Sequence, residues 1–182
     1  MFPRVRALTP SEKGGIAELK IAAAAAELGI VVSRPMTEGG RYDLIFDTGR
    51  CLLRIQCKWA VRRGAVVVVA PRTNRTTPAG YVSGTYSIEE IDAVAAYCQA
   101  LDEVFVLPIE EIDGQSYVHL RLVPARNNQT MGVKWAAQYT LGAVAQLEER
   151  LAGSQKVRGS SPLSSTAEEA VHPGGLFPSG SD

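Results

Sequence analysis

The sequence predicts an α/β (α+β) domain in which a mixed central sheet is flanked by helices. Three observations in its 182 residues carry this expectation. Ala17, Ile21, Ala24 and Leu28 recur at helical spacing near the start. Leu53, Ile55, Cys57 and Trp59 alternate with Arg54, Gln56 and Lys58, the period of two that gives a strand one apolar and one polar face. Ala65–Ala70 and Val104–Ile109 are short apolar runs of the kind that sit buried on both faces of a sheet.

Taken in order, Ser11 is a good N-cap, and a helix is expected from about Glu12 to Leu28, stopped by Gly29. Its small residues, Gly14, Gly15 and Ala22–Ala26, suit close packing on a sheet. Ile30–Ser33 reads as a short strand, and Pro35 with Gly39 and Gly40 breaks the chain after it. Arg41–Trp59 reads as a hairpin, with Asp47-Thr-Gly-Arg50 as the turn and Cys51–Trp59 as the second strand. Val61–Gly64 turns into the strand Ala65–Ala70, and Pro71–Gly84 is expected to be a long polar loop. Ser87 is expected to cap a second helix, Ile88 to about Ala100, with Ile91, Val94, Ala95 and Cys98 inward. Val104–Ile109, a turn at Glu110–Gly114 and a partner strand at Ser116–Val123 follow. Pro124–Gln129 reads as a polar loop and Val133–Leu141 as a weak helix.

Composition narrows the setting. At 46% hydrophobic the chain can bury a core, and its formal net charge is zero. That balance hides a local excess. Seven basic residues lie between Arg50 and Arg75 (Arg54, Lys58, Arg62, Arg63 and Arg72 among them) with no acidic one. Such a run is either a solvated surface or a face for a polyanion. Cys51, Cys57 and Cys98 form no CxxC pair, and two histidines offer no zinc site. Free thiols, no signal-peptide core at the start and no membrane-length apolar run suggest a cytoplasmic protein with no membrane partner.

The polar face of 51–59 is the chemically informative stretch. Gln56 and Lys58 point the same way, and a hairpin brings Asp43 beside them. A carboxylate, a neutral oxygen donor and an ammonium at one sheet edge can serve a divalent metal and a phosphate. Lys58 also has a bland reading as an edge-strand lysine. Glu18, one residue beside the helix stripe, reads by itself as a solvated glutamate.

A helix glutamate, then about two dozen residues on an aspartate opening a hairpin, then Q-x-K on the next strand, resembles the PD-(D/E)XK nuclease superfamily. The similarity runs from about Glu12 to Gln129. It is greatest to the branch with Gln in the third acidic position, which includes group I intron-encoded homing endonucleases. The resemblance implies a restriction-endonuclease-like core and hydrolysis of DNA phosphodiester bonds with Mg²⁺ or Mn²⁺. An alternative within the same fold is a nucleic-acid-binding protein that does not cut. Glu18, Asp43, Gln56 and Lys58 would be catalytic. The metal would lie on Asp43, Glu18, Gln56 and, by resemblance, the backbone carbonyl of Cys57. Two departures stand out: Tyr42 precedes Asp43 where the superfamily has Pro, and Gln56 brings no charge to the metal. Duplex DNA would be the partner, with Arg62, Arg63, Arg72 and Arg75 on phosphates. Asn127 and Asn128 would contact bases or backbone, or else form an Asx-rich turn. One site per chain and two DNA strands to cut favour a homo-oligomer, a dimer or tetramer.

The remaining expectation concerns organisation: an arm at 1–10, the nuclease-like domain at 11–129, a weakly helical extension at 130–152 and a disordered tail at 153–182. From Gly142 to Thr166 the sequence resembles a bacterial alanine tRNA gene translated in one frame. Codons allowed by these residues spell acceptor, D and T stems that close in register, with Gly153 on the anticodon. Such a segment has no reason to carry a core-matching pattern. Sequencing of the gene tests this directly, since codons that do not spell closing stems remove the idea.

Overall fold

The computed structural model describes residues 6–37, 39–77, 80–124 and 131–143, with the backbone alone at 74–77 and 81–82. The first element is helix α1, Pro10–Glu27. Its cap is Thr9, not Ser11. Thr9-Pro-Ser-Glu12 is a capping box: Thr9 Oγ1 accepts from the Glu12 N–H, and the Glu12 carboxylate accepts from the Thr9 N–H at 2.8 Å. Pro10 takes the first helical position, where no N–H is needed. Gly29 ends the helix at φ +81°, a conformation that favours glycine.

Arg6 and, after it, the Thr9 donors hold the Glu12 carboxyl down at about 2. Because that value lies below the ordinary one, the box stabilises the helix start at neutral pH and loses its contribution as acid takes the carboxylate through 2. The Cα shifts of residues 9–13 are therefore expected to lose helical character between about pH 4.5 and 2. Thr9→Ala should weaken the same turn at pH 7.

The sheet is organised by one long strand. β1 (Val31–Ser33) pairs antiparallel with β2 (Leu44–Asp47), and β2 pairs antiparallel with β3 (Leu52–Arg63), Leu44 opposite Ile55. Along Ile55–Ala60 the other edge of β3 carries a parallel partner, β7 (Ala93–Cys98). β8 (Glu103–Pro108) closes that side antiparallel to β7. The far end of β3 leaves this sheet and pairs with β4 (Val66–Val69), which pairs with β9 (Val118–Arg121). The two-residue strand β10 (Lys134–Trp135) runs parallel to β9.

Two cores result. Ala17, Ile21 and Ala25 of α1 pack on Leu53, Ile55, Cys57, Ala93, Ala95 and Tyr97. Val94, Ala96 and Cys98 face the other way, onto Val67, Val69, Phe105, Leu107, Val118 and Leu120. The buried helix row is Ala17-Ile21-Ala25, with Leu28 exposed instead of inward. Short side chains along it let the helix axis approach the sheet.

Four expectations are corrected. Ile88–Ala100 is not a helix: after a turn at 88–90 the chain enters β7. Ser87 does start a turn, its N–H donating to Glu90, but Asp92 then pins the chain to the sheet. The Asp92 N–H donates to the Arg54 carbonyl, and its carbonyl accepts from the Ile109 N–H. Ala93–Cys98 is buried on both faces, so its apolar run carries no period that separates strand from helix. Pro71–Gly84 is not a loop but a hairpin, β5 (Arg72–Thr77) with β6 (Gly80–Thr85), joined to no other described strand. Ser116–Val123 does not pair with Val104–Ile109, because β9 lies beside β4. Val133–Leu141 is β10 followed by short 3-10 turns, and Leu141 closes the helix-side core. The extension and tail from residue 144 onward lie outside the described residues, as do residues 1–5 of the arm. No described helix is long and apolar enough to cross a membrane.

Candidate active site

Asp43 stands immediately before β2, where its N–H donates to the Ile55 carbonyl at 2.9 Å. The next step of the ladder sets its side chain beside residues 56 and 57. Asp43 Oδ2 accepts from the Cys57 N–H at 2.8 Å and from the Gln56 side-chain amide. That amide also lies 3.4 Å from the Cys57 carbonyl oxygen. Leu53, Ile55 and Cys57 turn toward α1, so the alternation of β3 sends Gln56 and Lys58 to the opposite face. Gln56 is only 7% exposed, a burial that a polar side chain tolerates because Asp43 receives its hydrogen.

Burial raises Asp43 above its ordinary value, against the lowering effects of the Cys57 N–H, Lys58, Arg34 and Gln56. Burial lowers Lys58, with Asp43 opposing it. The Lys58 ammonium donates to the Tyr86 hydroxyl at 3.0 Å and lies 5.1 Å from the centre of that ring. The Cys57 thiol is driven upward, first by burial and then by Asp43 and Glu18. It is a core side chain, not a nucleophile. Only its backbone reaches the site.

Glu18 approaches Asp43 from α1. It lines a cavity of about 250 Å³ together with Asp43, Tyr42, Arg34, Pro35 and Thr37. Arg34 lies 3.3 Å from the Glu18 carboxylate and also acts on Asp43. Sequence reasoning missed Arg34, since nothing in the Ser33-Arg34-Pro35 context distinguishes it from a surface arginine. It also missed Tyr86, whose pairing with Lys58 crosses 28 residues.

The structure thus brings Asp43, Gln56, the Cys57 backbone and Lys58 together, and Glu18 shares a cavity with Asp43. The basic residues lie elsewhere. Arg62 and Arg63 are exposed at the end of β3, with Arg62 Nε donating to the Gly64 carbonyl at 3.0 Å. Arg72 opens β5 and stacks on the Tyr117 ring at 4.5 Å. Arg75 belongs to the β5 backbone opposite Val82. Asn127 and Asn128 fall outside the described residues.

Among the described residues, no group of three or more His, Cys, Asp or Glu side chains gathers as a metal site. The donors at hand are two carboxylates, an amide and a backbone carbonyl. These are hard oxygen donors of the kind Mg²⁺ and Mn²⁺ accept. A carboxylate already disfavoured by burial is one that a divalent cation relieves, so the residues fit such an ion.

A profile of the PD-(D/E)XK endonucleases matches residues 8–142, and the chain belongs to that family. Among solved structures it is similar to a bacterial homing endonuclease, I-Ssp6803I. The two share 25% identity with a TM-score of 0.63 over 82% of this chain and 99% of the other. No curated protein matches the sequence. The mixed sheet with α1 across one face is accordingly the restriction-endonuclease-like core.

Proposed function

We propose that this family member is a metal-dependent DNA endonuclease of the homing type, acting on duplex DNA with Mg²⁺ or Mn²⁺. The observation that carries the reading is the meeting of Asp43 and Glu18 at one cavity beside Gln56 and Lys58. Asp43 and Glu18 would hold the ion, with the Cys57 carbonyl and, after rotation of its amide, the Gln56 oxygen completing the set. When bound, the ion neutralises the scissile phosphate and lowers the pKa of a coordinated water. Lys58 supplies a positive charge where the pentacovalent oxyanion develops. Overall, the hydroxyl of water would join phosphorus as the P–O ester bond breaks, and the proton of water would leave on the departing ester oxygen.

DNA would cross the basic end of β3. Arg62→Ala/Arg63→Ala is expected to weaken duplex binding and to reduce the slope of log K against log salt by about two. An unchanged slope removes the phosphate role from both. The β5–β6 hairpin would offer DNA a second surface. No acidic residue occurs between Asp47 and Glu89, and a two-stranded ribbon is of a size that the major groove, about 12 Å wide, admits. Arg72 and Arg75 would meet phosphates along its edge. Cleavage of both strands would use a homo-oligomer.

Supercoiled plasmid incubated with Mg²⁺ or Mn²⁺ provides the test, beside Asp43→Ala and Lys58→Ala. Nicking that needs metal and vanishes in both variants supports the enzyme. A second reading, a nuclease fold that binds without cutting, is favoured by the Gln56 amide facing Asp43 and by Arg34 on Glu18. DNA retained by all three proteins with no nicking supports that reading instead.

A further inference from the structure

We propose that Tyr86 is a positioning residue that sets the place of the Lys58 ammonium, and that it ties this lysine to the end of the β5–β6 hairpin. The proposal rests on the endonuclease reading, because it assigns Lys58 its task. Lysine is a poor choice for a fixed charge, since four rotatable bonds separate the ammonium from the backbone. Something must hold it where charge develops.

Tyr86 does so through its hydroxyl. Its hydroxyl accepts from Lys58 Nζ at 3.0 Å, and its ring lies 5.1 Å from the same nitrogen. The two distances together place the nitrogen at the oxygen end of the ring, in a hydrogen bond of ordinary length. Tyr86 itself is only 5% exposed and packs in the core beneath β7, so its hydroxyl has little freedom. Asp43 adds an attractive charge near Lys58, but it sits where the ion would bind. Tyr86 holds the ammonium without using a proposed metal donor.

Place in the chain gives the contact a second meaning. Tyr86 directly follows β6, and its neighbour Ser87 opens the turn that leads to Asp92. Asp92 is fastened to Arg54 of β3, four residues before Lys58. The chain leaving the hairpin is therefore held first at the Lys58 contact and then, past the Ser87 turn, at Asp92. Movement of the hairpin on DNA would reach the lysine through one residue.

Tyr86→Phe keeps the ring and removes the acceptor, whereas Tyr86→Leu removes both. Plasmid nicking is expected to fall about 10-fold in the first and about 100-fold in the second, with DNA binding unchanged. Side-chain ¹⁵N relaxation of the Lys58 ammonium gives a readout that needs no activity: order should drop in Tyr86→Phe while Tm stays near the parent. Unchanged lysine order overturns the proposal whether or not the protein cuts. Reduced lysine order in a protein that nicks no DNA keeps the contact but removes the endonuclease reading on which its catalytic meaning rests.

Discussion

Asp43→Ala is expected to lower metal-dependent nicking by at least about 10³-fold, equivalent to about 4 kcal/mol of transition-state stabilisation. No other described side chain takes its place. It alone accepts both the Cys57 N–H and the Gln56 amide, and it shares a cavity with Glu18. Asp43→Asn separates charge from shape, since an amide oxygen still accepts from Cys57. Nicking should be lost equally, yet the metal-free variant should melt no lower than the parent at pH 7. The sign follows from burial, which raises Asp43. A carboxyl raised on folding favours the folded state below its unfolded pKa. That advantage disappears as pH rises through the folded value. Burial thus works against the ionised carboxylate, a cost the neutral amide avoids. Plasmid assays with the three proteins, paired with melting curves, decide both halves. Nicking by Asp43→Ala at the parent rate would place the chemistry elsewhere.

Asp92→Ala should be the most damaging single change to stability outside the apolar core. Asp92 is 5% exposed and takes the Arg54 guanidinium through both oxygens at 3.0 Å and the Arg54 backbone N–H at 2.7 Å. Arg54 Nη2 also donates to the Ile88 carbonyl at 3.1 Å, and Nη1 to that of Glu89. Removing the carboxylate strands the half-buried guanidinium and frees the turn that launches β7. The expected loss is about 3–5 kcal/mol. For a chain of this size that is roughly a 10 °C fall in Tm. Arg54→Met/Asp92→Leu removes both charges and should recover much of the loss, since apolar replacements of a buried pair are often tolerated. A Tm unchanged in Asp92→Ala would show that the pair contributes nothing to the fold.

The contrast between these two residues explains how much was legible in advance. Asp43, Gln56 and Lys58 were readable because β3 and its turn to β2 are local, and a period of two fixes which side chains share a face. Glu18 needed the family resemblance, since its distance from the site closes only through helix packing. Asp92 was invisible: in sequence it sits inside a plausible amphipathic helix, and its partner Arg54 lies 38 residues away. The same blindness turned β7 into an expected helix. A strand buried on both faces loses the alternation that identifies strands, and only the parallel pairing with β3 settles its state. The β5–β6 hairpin was hidden differently. Its Thr, Arg, Asn and Gly residues resemble loop composition, because a ribbon outside the main sheet has little apolar surface to bury.

The length of β3 carries one more implication, for how this gene can change. Beneath α1 the odd-numbered Leu53, Ile55 and Cys57 are core and the even-numbered Gln56 and Lys58 face the proposed chemistry; past Ala60 the odd-numbered Val61 and Arg63 meet solvent. Adding or deleting one codon between positions 52 and 58 would exchange the two rows, driving an ammonium into the interior and a thiol out of it. Single-codon insertions across this strand should be lethal to folding. Insertions near the tip of the hairpin, which shares no ladder with the main sheet, should be accepted. Drift in chain length is thereby steered toward the segment proposed to touch DNA.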